Sequence, residues 1–375
     1  MRIIIFTATW HYNLWDELIL KQEYELLKAY YPDSTFDIFT YDNKSSLLPK
    51  DENIRYVSYF PKNIRKNPFS NLRYLIWNII SIAKSDIIFI GWGWLVYADE
   101  VQIASTPLWQ WNMRVMLAKF FKKKIVWMAV GISYPKARIN EIKYLFSWKN
   151  TFVSVRDKQS KELLKWIWIE ATLLHDSVFF LWLDNHLKLK KGDKSEIDKK
   201  TIWVSLRKWY LKNERENIKQ LVLYLSRKWY NLHFLSHSIH QHDPLADDLD
   251  FLKEFSTAYR IPMTRTMEET LLAYDKVDLV VWMRFHSMIL SAVKNIPFLA
   301  INYWQKTQEL LKDFDYDFAL NPKTFDFEEF IWIFEKLETF KDDAKFALKK
   351  KCDTITSEIS LEYKEFLDGL EITQK

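Results

Sequence analysis

Short apolar runs rich in β-branched residues alternate with longer amphipathic segments along the whole chain. This rhythm limits the fold more than any other feature. In the first half the runs fall at residues 2–7, 36–40, 86–90, 124–130 and 151–155, separated by helix-like segments at 16–30, 70–84, 108–121, 136–146 and 158–165. Such alternation predicts a parallel sheet with helices on both faces. Residues 186–200, HLKLKKGDKSEIDKK, turn polar and read as a linker, and the rhythm then restarts. Strands are predicted at 201–206, 232–236, 279–282 and 298–301, and helices at 213–227, 245–258, 267–274 and 287–294. Residues 325–368 read as two further helices. The expected class is α/β. A Rossmann-like domain spans 1–190, a linker 191–200, a second Rossmann-like domain 201–324 and a C-terminal helical tail 325–375, with the two domains facing a cleft.

A doubly wound chain uses glycine at its tight turns, yet this one has five glycines and 18 tryptophans. Ordinary usage gives about 26 glycines in a chain of this length. Tryptophan normally prefers strands and cores. Here it clusters where glycine belongs: Trp10 and Trp15 after the first strand, Trp92 and Trp94 in GWGW after the third, Trp166 and Trp168 in LLKWIWIE, then Trp229, Trp282 and Trp304. The expectation is that most of these letters are glycines whose UGA codons were read as tryptophan, as happens when a lineage with a reassigned codon is translated by another table. The Lys, Ile and Asn richness suits the AT-rich genomes where such reassignments occur. Trp77, Trp109, Trp111 and Trp332 lie inside helix-like segments and stay open. If every tryptophan is genuine, indoles fill the phosphate loops and the chain is a non-catalytic, degenerate binding protein.

Composition excludes several classes. Hydrophobic content of 49% with 27% charged residues is that of a globular protein, and lysines spread evenly under a net charge of +5 give no nucleic-acid signature. Cys352 is the single cysteine, so no internal disulfide forms and a reducing, cytoplasmic compartment is expected. The N-terminal MRIIIFTATW reads as a first strand and not a signal peptide. No run of about 18 apolar residues is present, so no membrane span is expected.

Six motifs follow one another in order: Asn13-Leu14-Trp15-Asp16-Glu17, Gly91-Trp92-Gly93-Trp94, Ser154-Val155-Arg156-Asp157, Asp176, Ser205-Leu206-Arg207-Lys208-Trp209 and Trp282-Met283-Arg284-Phe285-His286. With glycine restored at the suspect positions, the ordered set resembles the polysaccharide pyruvyl transferase family and its CsaB-like members, over about 300 residues. The departure is the Gly-to-Trp change, which touches most of the glycine-bearing motifs. The resemblance implies a two-domain, GT-B-like fold. It also implies transfer of a pyruvyl group from phosphoenolpyruvate, a co-substrate, onto two hydroxyls of a sugar in a cell-surface glycan, as a cyclic ketal. No cofactor or metal is expected. The acceptor is expected to be lipid-linked, which would bring peripheral contact with the inner face of the membrane. A GT-B glycosyltransferase using a nucleotide sugar is the competing reading.

The residues fit a small trianion. Phosphate and carboxylate call for guanidinium forks and backbone amides. Arg207 and Arg284 each follow a strand of the second domain, where ligands of open α/β sheets bind; surface or salt-bridged arginines are the alternative. His286 suits protonation of the enol methylene carbon, or else caps the helix beginning near Ser287. Lys306 is expected at the phosphate unless simply solvated, and Ser205 and Ser287 are candidate hydroxyl donors to it. In the first domain Asn13, Asp16 and Glu17 are candidates to orient acceptor hydroxyls. Asp16 is a possible base, although it also sits where a helix N-cap belongs. Gly91 and Gly93 are expected in a loop whose amides face a ligand at a helix N-terminus. Arg156 is expected to line the cleft, or to pair with Asp157 or Asp176. Trp209, taken as genuine, stacks on a sugar or packs under the arginine strand. His233, His237, His240 and His242 invite a zinc site but lack accompanying ligands, so an acceptor-binding or solvated loop is expected.

Overall fold

The computed structural model describes residues 1–7, 14–40, 48–60, 68–97, 108–133, 138–183, 200–206, 213–228, 230–238, 247–283, 285–301 and 305–372. The chain forms two compact units. The first comprises Met1–Trp10, Asp16–Ser177 and Glu358–Lys375, the second His11–Trp15 and Val178–Ser357.

In the first unit β1 (Arg2–Phe6), α1 (Leu14–Tyr30), β2 (Thr35–Thr40), β3 (Ile54–Ser58), α2 (Pro68–Lys84), β4 (Ile87–Tyr97), α3 (Leu108–Phe120), β5 (Lys124–Ser133), α4 (Ile139–Phe146), β6 (Thr151–Val155), α5 (Lys158–Trp166) and β7 (Thr172–Leu173) follow in turn. The strands make one sheet in the order β3-β2-β1-β4-β5-β6-β7, and each neighbouring pair is parallel. β1 is central and covered on both faces, so its Ile3, Ile4 and Ile5 are fully buried and it shows no polar alternation.

The second unit contains α6 (Phe180–Leu183), β8 (Thr201–Ser205), α7 (Glu214–Arg227), β9 (Asn231–Phe234), α8 (Asp248–Tyr259), α9 (Met267–Ala273), β10 (Leu279–Trp282), α10 (Phe285–Val293), β11 (Phe298–Ile301), α11 (Gln305–Asp313), β12 (Ala319–Leu320), α12 (Phe327–Thr339) and α13 (Lys341–Ile372). Its parallel sheet runs β12-β11-β10-β8-β9. Asp247, Thr266 and Asp326 cap α8, α9 and α12 by accepting backbone N–H bonds. Helix α13 begins in the second unit, and its residues from Glu358 onward belong to the first.

Each α/β alternation predicted from sequence is present. The short strands β3, β7 and β12 and the helices α6 and α11 were not anticipated. The third strand differs most. It does not stop at Ile90 but continues to Tyr97, pairing Gly93 with Val130 and Trp94 with Gly131 on β5. The segment 91–94 is therefore sheet, not a loop at a helix N-terminus. The polar linker 191–199 lies outside the described residues.

Candidate functional site

In each sheet the chain lays strands outward in one direction, returns to the middle and lays the rest in the other. The return points fall between β1 and β4 in the first unit and between β8 and β10 in the second. In open α/β sheets ligands bind at the carboxyl ends of the strands beside such a point. Ser205 is the last residue of β8, and Met283 follows β10 immediately. Met283 N–H donates to Ser205 O at 2.9 Å, tying the two strand ends together. Arg207 and Arg284 lie outside the described residues, as do Asn13, Trp209, His240 and His242. His286 is the second residue of α10 and Lys306 the second of α11, following β10 and β11. Helix α10 starts at Phe285, so His286 is inside the first turn and not before it. Neither side chain is described.

Behind these strand ends sits a polar cluster centred on His237. Its Nδ1 lies 2.8 Å from Ser205 Oγ, and its Nε2 lies 2.8 Å from Tyr274 Oη and 3.1 Å from Ser287 Oγ. Its backbone N–H donates to Asp248 Oδ2 at 3.3 Å. Ser205, His237 and Ser287 have no exposed surface, and burial pushes the Tyr274 phenol well above its ordinary range. Buried polar groups are costly unless bonded. Here one imidazole joins hydroxyls from the end of β8, from α10 and from the residue after α9. The cluster overturns the solvated-loop reading for His237. His233 faces elsewhere, its ring 4.6 Å from that of Trp203, with burial holding it below the ordinary histidine value. The sequence signal that was missed is a histidine between two serines, SHS, directly after an apolar strand.

In the first unit Asp16 and Glu17 lie in the first turn of α1, where carboxylates oppose the positive helix end. The helix begins at Leu14, so Asp16 is inside it and not at its N-cap. Glu17 is buried and Asp16 half-buried. Arg156 and Asp176 form a buried ion pair, Nη1 to Oδ2 at 2.8 Å. Asp157 instead caps α5 through Ser160 N–H. The neighbouring His175 is held by the end of α13: Nδ1 is 2.9 Å from Glu362 Oε2, and its carbonyl accepts from Tyr363 Oη at 2.8 Å. His175, Glu358 and Glu362 hold ligand-type atoms within 4.8 Å of one another. Within that group the His175 ring and the Glu362 carboxylate are joined by a hydrogen bond.

Gly91 has a specific reason to lack a side chain. A Cβ there would lie 2.8 Å from Glu23 Oε1. Glu23 sits on α1, fully buried, with no hydrogen-bond partner among the described residues for either carboxylate oxygen, and desolvation raises its pKa well above 4.5. Since the folded state holds this proton more tightly than the unfolded chain, stability falls as pH rises from about 4.5 towards the folded value. Glu23→Met is expected to raise stability at pH 7 by about 2 kcal/mol and to flatten that slope, as denaturant melts at several pH values would show.

The polysaccharide pyruvyl transferase family model matches residues 16–305. No curated protein matches the sequence. Among solved structures the chain is similar to Anabaena HepE in complex with UDP and glucose, at 8% identity, 99% coverage of both chains and a TM-score of 0.61. It is also similar to a glycosyltransferase from Rickettsia africae, at 14% identity over 100% of this chain and 98% of that one, TM-score 0.59. A UDP-GlcNAc 2-epimerase from Neisseria meningitidis bound to UDP-GlcNAc is matched at 12% identity, over 96% of this chain and 100% of that one, TM-score 0.56. At such identities the likeness speaks to fold, and the fold is the two-domain Rossmann-like GT-B arrangement. With its motifs in order and the family match running from α1 to α11, the chain belongs to the polysaccharide pyruvyl transferase family.

Proposed function

We propose that this protein transfers the pyruvyl group of phosphoenolpyruvate to two hydroxyls of a glycan sugar, in the CsaB-like manner. The observation that carries the reading is the family match over residues 16–305, whose donor-side residues follow adjacent strands of the second sheet. In this scheme Arg207, Arg284 and Lys306 bind the phosphate and carboxylate. His286 gives its proton to the methylene carbon, and the adjacent carbon becomes cation-like. One sugar hydroxyl attacks that carbon, phosphate leaves, and the second hydroxyl closes the ketal. Of the two hydroxyl protons lost, Asp16 takes up one and the departing phosphate carries off the other; exchange through solvent moves the proton from Asp16 back to His286. Neighbours with UDP, glucose or UDP-GlcNAc bound favour the competing nucleotide-sugar reading. Incubating the protein with candidate glycans and either labelled phosphoenolpyruvate or labelled UDP-sugars decides between them. Phosphate release with pyruvylated product supports the first, and glycosyl transfer with release of UDP would sink it.

The glycine reading of the tryptophans belongs to the same proposal. Trp168 has φ 64°. It follows α5, with Ile169 N–H donating to Leu164 O and Trp168 N–H to Lys165 O, each at 3.0 Å. This is the Schellman ending, whose left-handed residue is usually glycine. Trp127, Trp203 and Trp282 are buried, and their indole N–H groups meet no acceptor among the described residues, whereas a buried indole normally does. Trp168 is 90% exposed, so Trp168→Gly removes strain without losing packing. It is expected to stabilise the protein by about 1 kcal/mol, seen as a higher denaturation midpoint. A neutral or lower midpoint counts against glycine at that position.

A further inference from the structure

Helices α2 and α3 pack against each other in the first unit, and their outward faces are unusual. On α2 the exposed apolar residues are Phe69, Leu72 and Ile76, spaced by three and four along one side, with Trp77 beside Ile76, while Asn71, Asn78 and Ser81 are buried. On α3 Trp109, Met116 and Phe120 are exposed along one side. Phe69 is 87% and Phe120 75% exposed. Single exposed apolar residues are ordinary, but stripes on two adjoining helices mark an interaction surface.

Charge identifies the partner. Neither helix contains an acidic residue, although the chain as a whole has 49 acidic residues against 54 basic ones. Arg73 stands within the α2 stripe, Lys84 ends that helix, and Lys122 follows Phe120; all three are exposed. Interfaces between proteins are depleted in lysine. An apolar stripe edged with cations and free of carboxylates instead suits an anionic bilayer, with the aromatic rings below the headgroups and the cations among them. No described helix is long and apolar enough to cross a membrane, which is consistent with a helix pair lying on its surface.

We infer that α2 and α3 form a docking face for an anionic lipid membrane. This deepens the reading above, in which the acceptor is carried on a lipid. The test is flotation of the full chain with vesicles of phosphatidylcholine alone or with about 30% phosphatidylglycerol. The protein is expected to float with the anionic vesicles only and to be released by salt near 0.5 M (about a 4 Å screening length). The double variant Phe69→Ser, Phe120→Ser is expected to lower the bound fraction about tenfold, as is Arg73→Glu with Lys122→Glu, with melting curves unchanged. Three results would overturn the inference. One is no flotation with anionic vesicles. Another is binding that survives both double variants. The third is a dimer in solution that the Phe variant dissociates without any lipid binding, which would assign the face to a second copy of the chain. Flotation requires neither phosphoenolpyruvate nor acceptor, so failure of the pyruvyl reading leaves it standing. Loss of flotation with intact turnover on a water-soluble glycan removes only the membrane.

Discussion

His286→Gln is expected to lower kcat for pyruvyl transfer about 1000-fold while moving the KM for phosphoenolpyruvate less than about threefold. The methylene carbon of an enol phosphate is a poor base, so its protonation needs a positioned acid, and glutamine keeps the volume and polarity of the side chain without a transferable proton. His286 is in the first turn of α10, directly after β10 and beside the point where the second sheet reverses its winding. In the proposed scheme Arg284, two residues earlier in the sequence, still binds the anion in the variant, so binding is expected to change little. Single-turnover phosphate release compared with steady-state rates separates chemistry from product departure. A kcat loss below about tenfold would move the acid to another residue.

His237→Ala is expected to destabilise the protein by about 3 kcal/mol. The imidazole is the shared partner of Ser205, Tyr274 and Ser287, all buried. Its removal leaves hydroxyls without that partner and a cavity behind them. Ser287 adjoins His286 in the chain, so kcat is expected to fall as well, by about tenfold. His237→Gln, which can still bond at its terminal amide, is expected to recover part of both losses. Guanidinium melts read the first effect and phosphate release the second. If His237→Ala melts like the parent protein, the cluster holds nothing in place.

The positions and order of the main helices and strands were readable because apolar period and turn residues report them directly. The two-residue strands β7 and β12 carry too few residues to show a period. The extension of β4 was hidden by its own letters. GWGW reads as a turn because glycine does, yet pairing with β5 continues through it. Strand-end positions were legible: Ser205 closes β8, and His286 and Lys306 stand in the first turns of the helices after β10 and β11. Two features were not legible. His237 gains its meaning only when β8, α9 and α10 converge on it. Glu23 reads as one more charge on an amphipathic helix, and only the burial of its carboxyl against Gly91 marks it as an acid that holds its proton more tightly than usual. Arg156 was left open between two roles, and the structure gives it Asp176 as a partner at 2.8 Å.

The division of α13 has a consequence during synthesis. The first unit is closed by Glu358–Lys375: Glu362 and Tyr363 grip His175, Leu370 O accepts from Lys124 Nζ, and Asp368 bonds Tyr30. A ribosome that has made Ser177 must still add the entire second unit before those residues exist, a delay of roughly 10–35 s at ordinary elongation rates. The part of the chain that emerges earliest is therefore finished last. In the interval the species that chaperones and proteases would meet has every strand of its sheet but lacks the closing end of α13.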